Sequence, residues 1–193
     1  MSSIISTFIP EIIIGKNYND YMENIFPTLP VIADNKLSMI DQSIIHADEG
    51  GYWLEFGVHS GETITHTAGR KLGVPNLTIH GFDSFEGLPE DWLQPETGHT
   101  NLKGHFDLEG KIPQNLLCVH NINIIKGWFD KSLPKFIKEN DINKISFLNI
   151  DSDLYSSANT VLTLLTPYFK GHCVIYFDEF CNYPGGKNGE YKA

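Results

Sequence analysis

The stretch that most constrains the fold is residues 52–62, with the sequence YWLEFGVHSGE. Its mostly apolar start, residues 52–56, predicts a buried strand, and residues 63–72 predict the helix that follows. Gly57 and Gly61 lie in the turn between them, where glycine permits positive φ and a close approach of the backbone to a ligand. The pattern indicates a cofactor cradle, although a purely structural strand-to-helix turn has the same signature.

The spacing of these glycines narrows the choice of ligand. It is Gly-x-x-x-Gly, which differs from the Gly-x-Gly-x-x-Gly fingerprint of dinucleotide-binding folds. Glu55 also stands where its negative charge would repel a phosphate. A ligand that carries a cationic or hydroxyl group and no pyrophosphate therefore fits better, and S-adenosylmethionine is such a ligand.

Strand and helix patterns alternate along the rest of the chain. Four further apolar strands are predicted at residues 77–83, 121–126, 144–150 and 173–177. Three further helices are predicted at residues 36–47, 133–139 and 157–165. This alternation is typical of an α/β fold, so we predict a Rossmann-like, doubly wound, mainly parallel sheet with strand order 3-2-1-4-5 and helices on both faces.

The chain outside this core is predicted to be less regular. Residues 1–50 are expected to form a helical or irregular lead-in, and residues 51–193 a single globular unit. Residues 90–112 show no period and predict a long loop, in which His99 and His105 are candidate contacts for an acceptor molecule.

Composition excludes several classes of partner. The formal net charge of −10 argues against nucleic acid and against anionic membrane surfaces. No apolar run approaches the length of a membrane span. The odd number of cysteines, three, is not typical of a disulfide framework or a zinc site, and we expect a cytoplasmic protein.

Acidic residues follow the predicted strands and would meet at one edge of the sheet. Asp83 is expected to accept hydrogen bonds from a ribose diol, or else to cap the turn after it. Asp151, Asp178 and Glu179 would repel one another unless a cation lies among them, and such oxygen ligands suit Mg²⁺ or Ca²⁺. A solvated acidic rim, or the metal site of a hydrolase, are the alternatives.

Five motifs in order resemble one known family. They are EFGVHSG at 55–61, GFDSFEGLP at 81–89, KGWF at 126–129, IDSDLY at 150–155 and FDEF at 177–180. Together, over residues 50–193, they are similar to the macrocin O-methyltransferase family. The resemblance implies a class I S-adenosylmethionine-dependent methyltransferase fold, dependence on Mg²⁺, and a small-molecule acceptor with a sugar-type hydroxyl.

The resemblance also implies roles for individual residues. The cofactor would be bound by the residues of the first four motifs: Glu55, Gly57, Val58, Gly61, Asp83, Ser84, Gly127, Trp128 and Asp151. The metal would be bound by Asp151, Asp178 and Glu179, where the family usually has two aspartates at the last two positions. Asp151 is also the candidate catalytic base.

The end of the sheet carries a further expectation. Family members continue with a helix and an antiparallel hairpin, so the chain resembles a C-terminally truncated member; a non-catalytic ligand-binding remnant is a third alternative. The fifth predicted strand, residues 173–177, is almost wholly apolar, and only the fourth strand is available to pair with it. We therefore expect its outer edge to be covered by residues beyond 193 or by a second chain in a homodimer.

Overall fold

A six-stranded sheet is the framework of the protein in the computed structural model, which describes residues 4–6, 35–94, 98–180 and 188–193. The sheet contains β1 (Ile4–Ser6), β2 (Tyr52–Phe56), β3 (Ile79–Asp83), β6 (Ile122–Lys126), β7 (Ile145–Ile150) and β8 (Val174–Phe177). A separate antiparallel hairpin consists of β4 (Trp92–Gln94) and β5 (His99–Asn101).

The order of the strands is β1-β8-β7-β2-β3-β6. The five strands from β8 to β6 are parallel and follow the predicted order, so the predicted α/β class and doubly wound sheet are confirmed. The expectation that only the fourth predicted strand pairs with β8, so that residues beyond 193 or a second chain cover its outer edge, was wrong. The strand β1 pairs antiparallel with that edge, and Ile5 lies opposite Tyr176. Most of the predicted lead-in, residues 7–34, lies outside the described residues.

Helices cover both faces of the sheet. They are α1 (Lys36–Ile44), α2 (Glu62–Arg70), α3 (Phe129–Glu139) and α4 (Tyr155–Leu165). One core joins α1 and α2 to residues such as Trp53, and the other joins α3 and α4 to residues such as Leu54 and Phe56. Successive residues of β2 therefore serve opposite cores, as the alternation of side chains in a strand requires.

The helix ends differ slightly from those predicted. The helix α3 begins at Phe129, four residues before the predicted start and at the last residue of the motif that contains Trp128. The N-cap residue of α4 is Leu154, and no side chain caps the helix there. None of the helices in the described ranges is long and apolar enough to cross a membrane.

Candidate active site

A cleft with a volume of about 930 Å³ opens at the carboxyl edge of the parallel strands. It lies where β2 and β7 are neighbours, and the helices that follow these two strands pack on opposite faces of the sheet. The chain diverges at such a point and leaves a crevice, which is where open α/β sheets bind ligands. The volume is within the range of small-molecule sites.

The sheet ladder itself positions the residues at this edge. Four N–H groups near the strand ends each donate to a carbonyl of the neighbouring strand, at 2.8 to 3.0 Å: Gly57 to Phe82, Asp151 to Phe56, Asp178 to Ile150, and Gly127 to Asp83. Each donor belongs to the first residue after its strand, so the backbone of the site is a continuation of the sheet.

Gly57 is needed for the close approach of two of these strand ends. Its φ is +90°, and a Cβ built on it would lie 1.8 Å from the carbonyl oxygen of Asp151. A side chain at this position is therefore excluded by the protein backbone as well as by the unfavourable φ.

Asp83 organises the turn beside the cleft. Its two carboxylate oxygens accept hydrogen bonds from the backbone N–H groups of His59 and Phe85, each at 2.7 Å. Phe85 has a φ of +59°, and the Asp83 carboxylate stabilises this unusual turn. Both oxygens retain lone pairs, and Asp83 lines the cleft, so the turn and a ribose diol can share this carboxylate.

Glu55 lies below the cleft rather than in its wall. The residue is 1% exposed, and its carboxylate accepts hydrogen bonds from Thr63 Oγ1 at 2.6 Å and from Asn149 Nδ2 at 3.0 Å. Burial raises the pKa of Glu55 to about 7, although both hydrogen bonds act in the opposite direction. The structure thus places a buried carboxyl group with a raised pKa beneath the glycine turn.

A lysine occupies the centre of the acidic cluster. The Lys36 ammonium lies 2.6 Å from Asp151 Oδ2 and 3.1 Å from Asp178 Oδ2. Tyr176 donates a hydrogen bond to the other oxygen of Asp178 at 3.1 Å. Burial alone would lower the pKa of Lys36, but the charges of Asp151 and Asp178 outweigh burial and raise this pKa above its ordinary value.

The carboxyl groups around this lysine have raised pKa values. Burial, and then the charge of Asp178, raise the pKa of Asp151 well above its ordinary value, while Lys36 opposes the shift. The same two causes raise the pKa of Asp153 to about 6 and that of Glu179 to about 7. A carboxylate with a raised pKa accepts a proton more readily at neutral pH, which suits a general base.

The predicted metal site does not fit this arrangement. The residues that the structure describes contain no group of three acidic, histidine or cysteine side chains that could hold a metal ion. Two of the three predicted ligands, Asp151 and Asp178, instead bind one ammonium group. The prediction of Mg²⁺ is therefore not supported, and no step of the chemistry below depends on a metal.

The cleft brings together part of the predicted set. It is lined by Gly57, Asp83, Ser84, Trp128, Asp151, Asp178 and Glu179. Four predicted cofactor residues are not among those that line it: Glu55, Val58, Gly61 and Gly127. Of these, Val58 packs in the core and Gly61 is the N-cap of α2, with a φ of +86°.

Several residues of the cleft were not predicted. They are Lys36, His59, Trp92, Phe106 and Phe129, together with Asn101 and other residues of the hairpin region. His105, which was a candidate acceptor contact, also lines the cleft. Lys36 carried a signal that could have identified it, because a lysine at the first position of a helix is unfavourable for the helix dipole and no acidic residue lies in that first turn.

Solved structures with the same fold are methyltransferases. The calicheamicin methyltransferase CalS11 superposes with a TM-score of 0.65 and 23% identity, covering 90% of this chain and 74% of that chain. The O-methyltransferase NovP gives 0.60 and 22%, covering 81% and 69%. A ligand-free structure of CalS11, described as a TDP-rhamnose 3'-O-methyltransferase, gives 0.56 and 22%, covering 88% and 74%. No curated protein matches the sequence.

The sequence also matches a family model over most of its length. The model describes the macrocin-O-methyltransferases (TylF) and matches residues 33–189, a range that begins just before α1 and includes every residue of the cleft. The chain therefore belongs to the macrocin-O-methyltransferase (TylF) family and is a methyltransferase.

Proposed function

We propose that this protein transfers a methyl group from S-adenosylmethionine to a hydroxyl group of a sugar or a glycosylated small molecule. The observation that carries the proposal is the cleft between the ends of β2 and β7. Four groups meet there: the turn at Gly57, the carboxylate of Asp83, the indole ring of Trp128 and the carboxylate of Asp151. Family membership supports the reaction class. The sugar acceptor is supported by the description of one similar structure as a TDP-rhamnose 3'-O-methyltransferase.

The residues of the cleft suit the three parts of the cofactor. Asp83, at the end of β3, would accept the ribose hydroxyls, and Trp128 would lie against the adenine. The backbone at Gly57 would contact the methionine moiety. Glu55 is buried beneath this turn and would support it without touching the cofactor. When bound, the cofactor supplies an electrophilic methyl group on a sulfonium centre.

Asp151 is the group in this cleft best suited to take the proton of the acceptor. It lies at the carboxyl end of β7, lines the cleft, and has a raised pKa. Asp151 accepts the hydroxyl proton while the oxygen bonds to the methyl carbon and the carbon–sulfur bond breaks, leaving the electron pair on sulfur. The rest of the rate enhancement would come from holding the two reactants in line within the cleft.

The acceptor would occupy the part of the cleft formed outside the parallel sheet. Trp92, Phe106 and His105 line it there, and Phe106 packs edge-on against His105 with ring centroids 4.2 Å apart. Aromatic surface with polar groups at its margin suits a sugar, which has both apolar C–H faces and hydroxyl groups.

The two alternatives make different predictions. A metal-dependent hydrolase would need a metal site that the described residues do not form. A ligand-binding remnant would bind the cofactor and transfer no methyl group. Incubation with labelled S-adenosylmethionine and a panel of nucleotide sugars, with detection of the methylated sugar by mass spectrometry, separates turnover from binding alone.

Isothermal titration with S-adenosylhomocysteine tests the cofactor site through Asp83→Asn. The substitution removes the charge that strengthens hydrogen bonds to the ribose, each worth about 1.5–3 kcal/mol, so we expect roughly 10- to 100-fold weaker binding. Asp107→Asn is the matched control, because Asp107 also accepts a backbone N–H two residues on, from Glu109 at 2.7 Å, but does not line the cleft. Equal affinity in the two variants would move the ribose site away from Asp83.

A further inference from the structure

The acidic cluster at the ends of β7 and β8 has a built-in cation. Among the described residues that line the cleft, Lys36 is the only lysine or arginine, and six acidic residues line it with Lys36. Its ammonium joins Asp151 and Asp178, which come from neighbouring strands. Both carboxylates are largely buried, with side-chain exposures of 19% and 16%.

Lys36 is placed there by a packed helix. It is the first residue of α1, whose N-cap Asn35 accepts a hydrogen bond from the Ser38 N–H at 3.0 Å. Met39 and Ile40, in the same turn and the next, are 1% and 0% exposed and belong to the core that α1 shares with α2. The ammonium therefore reaches the cluster from a fixed support, over a sequence separation of 115 residues from Asp151.

The position of Lys36 at the start of α1 is electrostatically unfavourable for this helix. A positive charge at a helix N-terminus is repelled by the helix dipole. Conversely, carboxylates that converge in a partly buried cleft need a cation nearby to remain ionised. The two unfavourable situations are relieved by the same ion pairs.

We propose that Lys36 takes the place of a divalent metal in this protein, so that methyl transfer here needs no metal. The inference rests on the proposed function. Lys36 is a positioning residue: its ammonium holds Asp151 through Oδ2 and balances the charge of Asp178, and the Oδ1 atom of Asp151 accepts the hydroxyl proton of the acceptor. The acceptor oxygen then bonds to the methyl carbon, and the electron pair of the broken carbon–sulfur bond stays on sulfur.

The first test needs no turnover. Thermal unfolding of the cofactor-free protein is followed with and without millimolar MgCl₂ in the wild type, in Lys36→Met and in Lys71→Met. Lys71 is the control, because its ammonium is also paired, with Glu49 at 3.1 Å, but does not line the cleft. We expect Mg²⁺ to raise the Tm of Lys36→Met alone, since only that variant leaves the cluster without its cation. An equal rise in the wild type would overturn the proposal.

The second test uses activity. Wild-type turnover should be unchanged by excess chelator. Lys36→Met should lower kcat by roughly 10- to 100-fold, the scale of a mispositioned base, with an unchanged KM for S-adenosylmethionine and partial recovery in Mg²⁺. Lys36→Arg should retain more activity than Lys36→Met because it keeps the charge. Loss of wild-type activity in chelator, with recovery in Mg²⁺, would refute the inference.

The two tests also separate this inference from the proposed function. If the protein binds no S-adenosylhomocysteine, the proposed function fails, while the Tm response to Mg²⁺ still decides whether Lys36 replaces a metal. If Lys36→Met does not fold, the chelator and Mg²⁺ experiments on the wild type and on Lys36→Arg still decide it.

Discussion

Replacing Gly57 with alanine should damage the protein through two separate effects. Its φ of +90° is one that residues with a side chain rarely adopt. The new Cβ would also lie 1.8 Å from the Asp151 carbonyl oxygen, far inside van der Waals contact, so the ends of β2 and β7 must move apart. That movement would displace Asp151, which is the proposed base.

Two other glycines separate these effects. Gly73 has a similar φ of +94° but no atom within 4 Å of a built Cβ, so Gly73→Ala pays only the conformational cost, about 1–2 kcal/mol. Gly69 lies in α2 with no such φ and no near atom, so Gly69→Ala should stabilise the protein by roughly 0.5–1 kcal/mol. Gly57→Ala adds a steric cost of roughly 1–3 kcal/mol, for a total loss of about 2–5 kcal/mol.

Urea unfolding of the three variants, followed by circular dichroism, measures these differences in the free energy of unfolding. Titration with S-adenosylhomocysteine then shows whether the folded Gly57→Ala protein still binds. Equal destabilisation in Gly57→Ala and Gly73→Ala would refute the reasoning, since it would mean that the two strand ends separate without cost. From the sequence we expect Gly57 to let the backbone approach a ligand closely; in the structure the Asp151 carbonyl occupies the space that a side chain at this position would fill.

Two further predictions concern buried carboxyl groups. The folded-state pKa of Glu55 is raised from 4.5 to about 7. The stabilising contribution of protonated Glu55 to the folded state is therefore fully present below pH 4.5 and is lost as pH rises through 7. Relative to Glu55→Gln, the wild type should therefore lose about 3 kcal/mol of unfolding free energy over that interval, measured by urea unfolding at several pH values; a constant difference would contradict the shift. Glu190, 1% exposed, accepts backbone N–H groups of Ser152 and Glu179, each at 3.0 Å. Glu190→Ala leaves both donors buried without this partner and should cost about 2–5 kcal/mol, and Glu190→Gln less, by the same assay; equal losses would argue against the paired hydrogen bonds.

Most of the sheet could be predicted from sequence because its signals are local. The strand β7 is buried along its whole length, and its predominantly apolar sequence, ISFLNI, indicates a central parallel strand. The strand β1 could not be predicted in the same way, because Ile4–Ser6 is three residues long and its strand conformation depends on pairing with β8. The β4–β5 hairpin is equally short, and its residues fell in a segment without a period.

The acidic half of the site could also be predicted, because each acid lies at the end of a strand or within two residues after it, and parallel strands end at the same edge. Lys36 could have been noticed from its unfavourable position at the start of a helix, but its partners could not be predicted. A helical pattern shows which residues face a core, but not what the first side chain of the helix reaches. The surroundings of the Glu55 side chain could not be predicted for a similar reason. The end of a strand suggested contact with a ligand, but the alternation of β2 directs this side chain towards Thr63 and Asn149.

The residues at the strand ends and the residues of the other walls have different roles in the site. Gly57, Asp151 and Asp178 continue the hydrogen-bond ladder of the sheet, so their positions follow from strand register and change only if the sheet changes. Other walls come from α1, the β4–β5 hairpin and the turn at His105, none of which is held in the parallel register. Substitutions in those walls can alter the shape of the cleft without disturbing the sheet. Recognition of the acceptor is therefore expected to reside there, and the shared chemistry of methyl transfer at the strand ends.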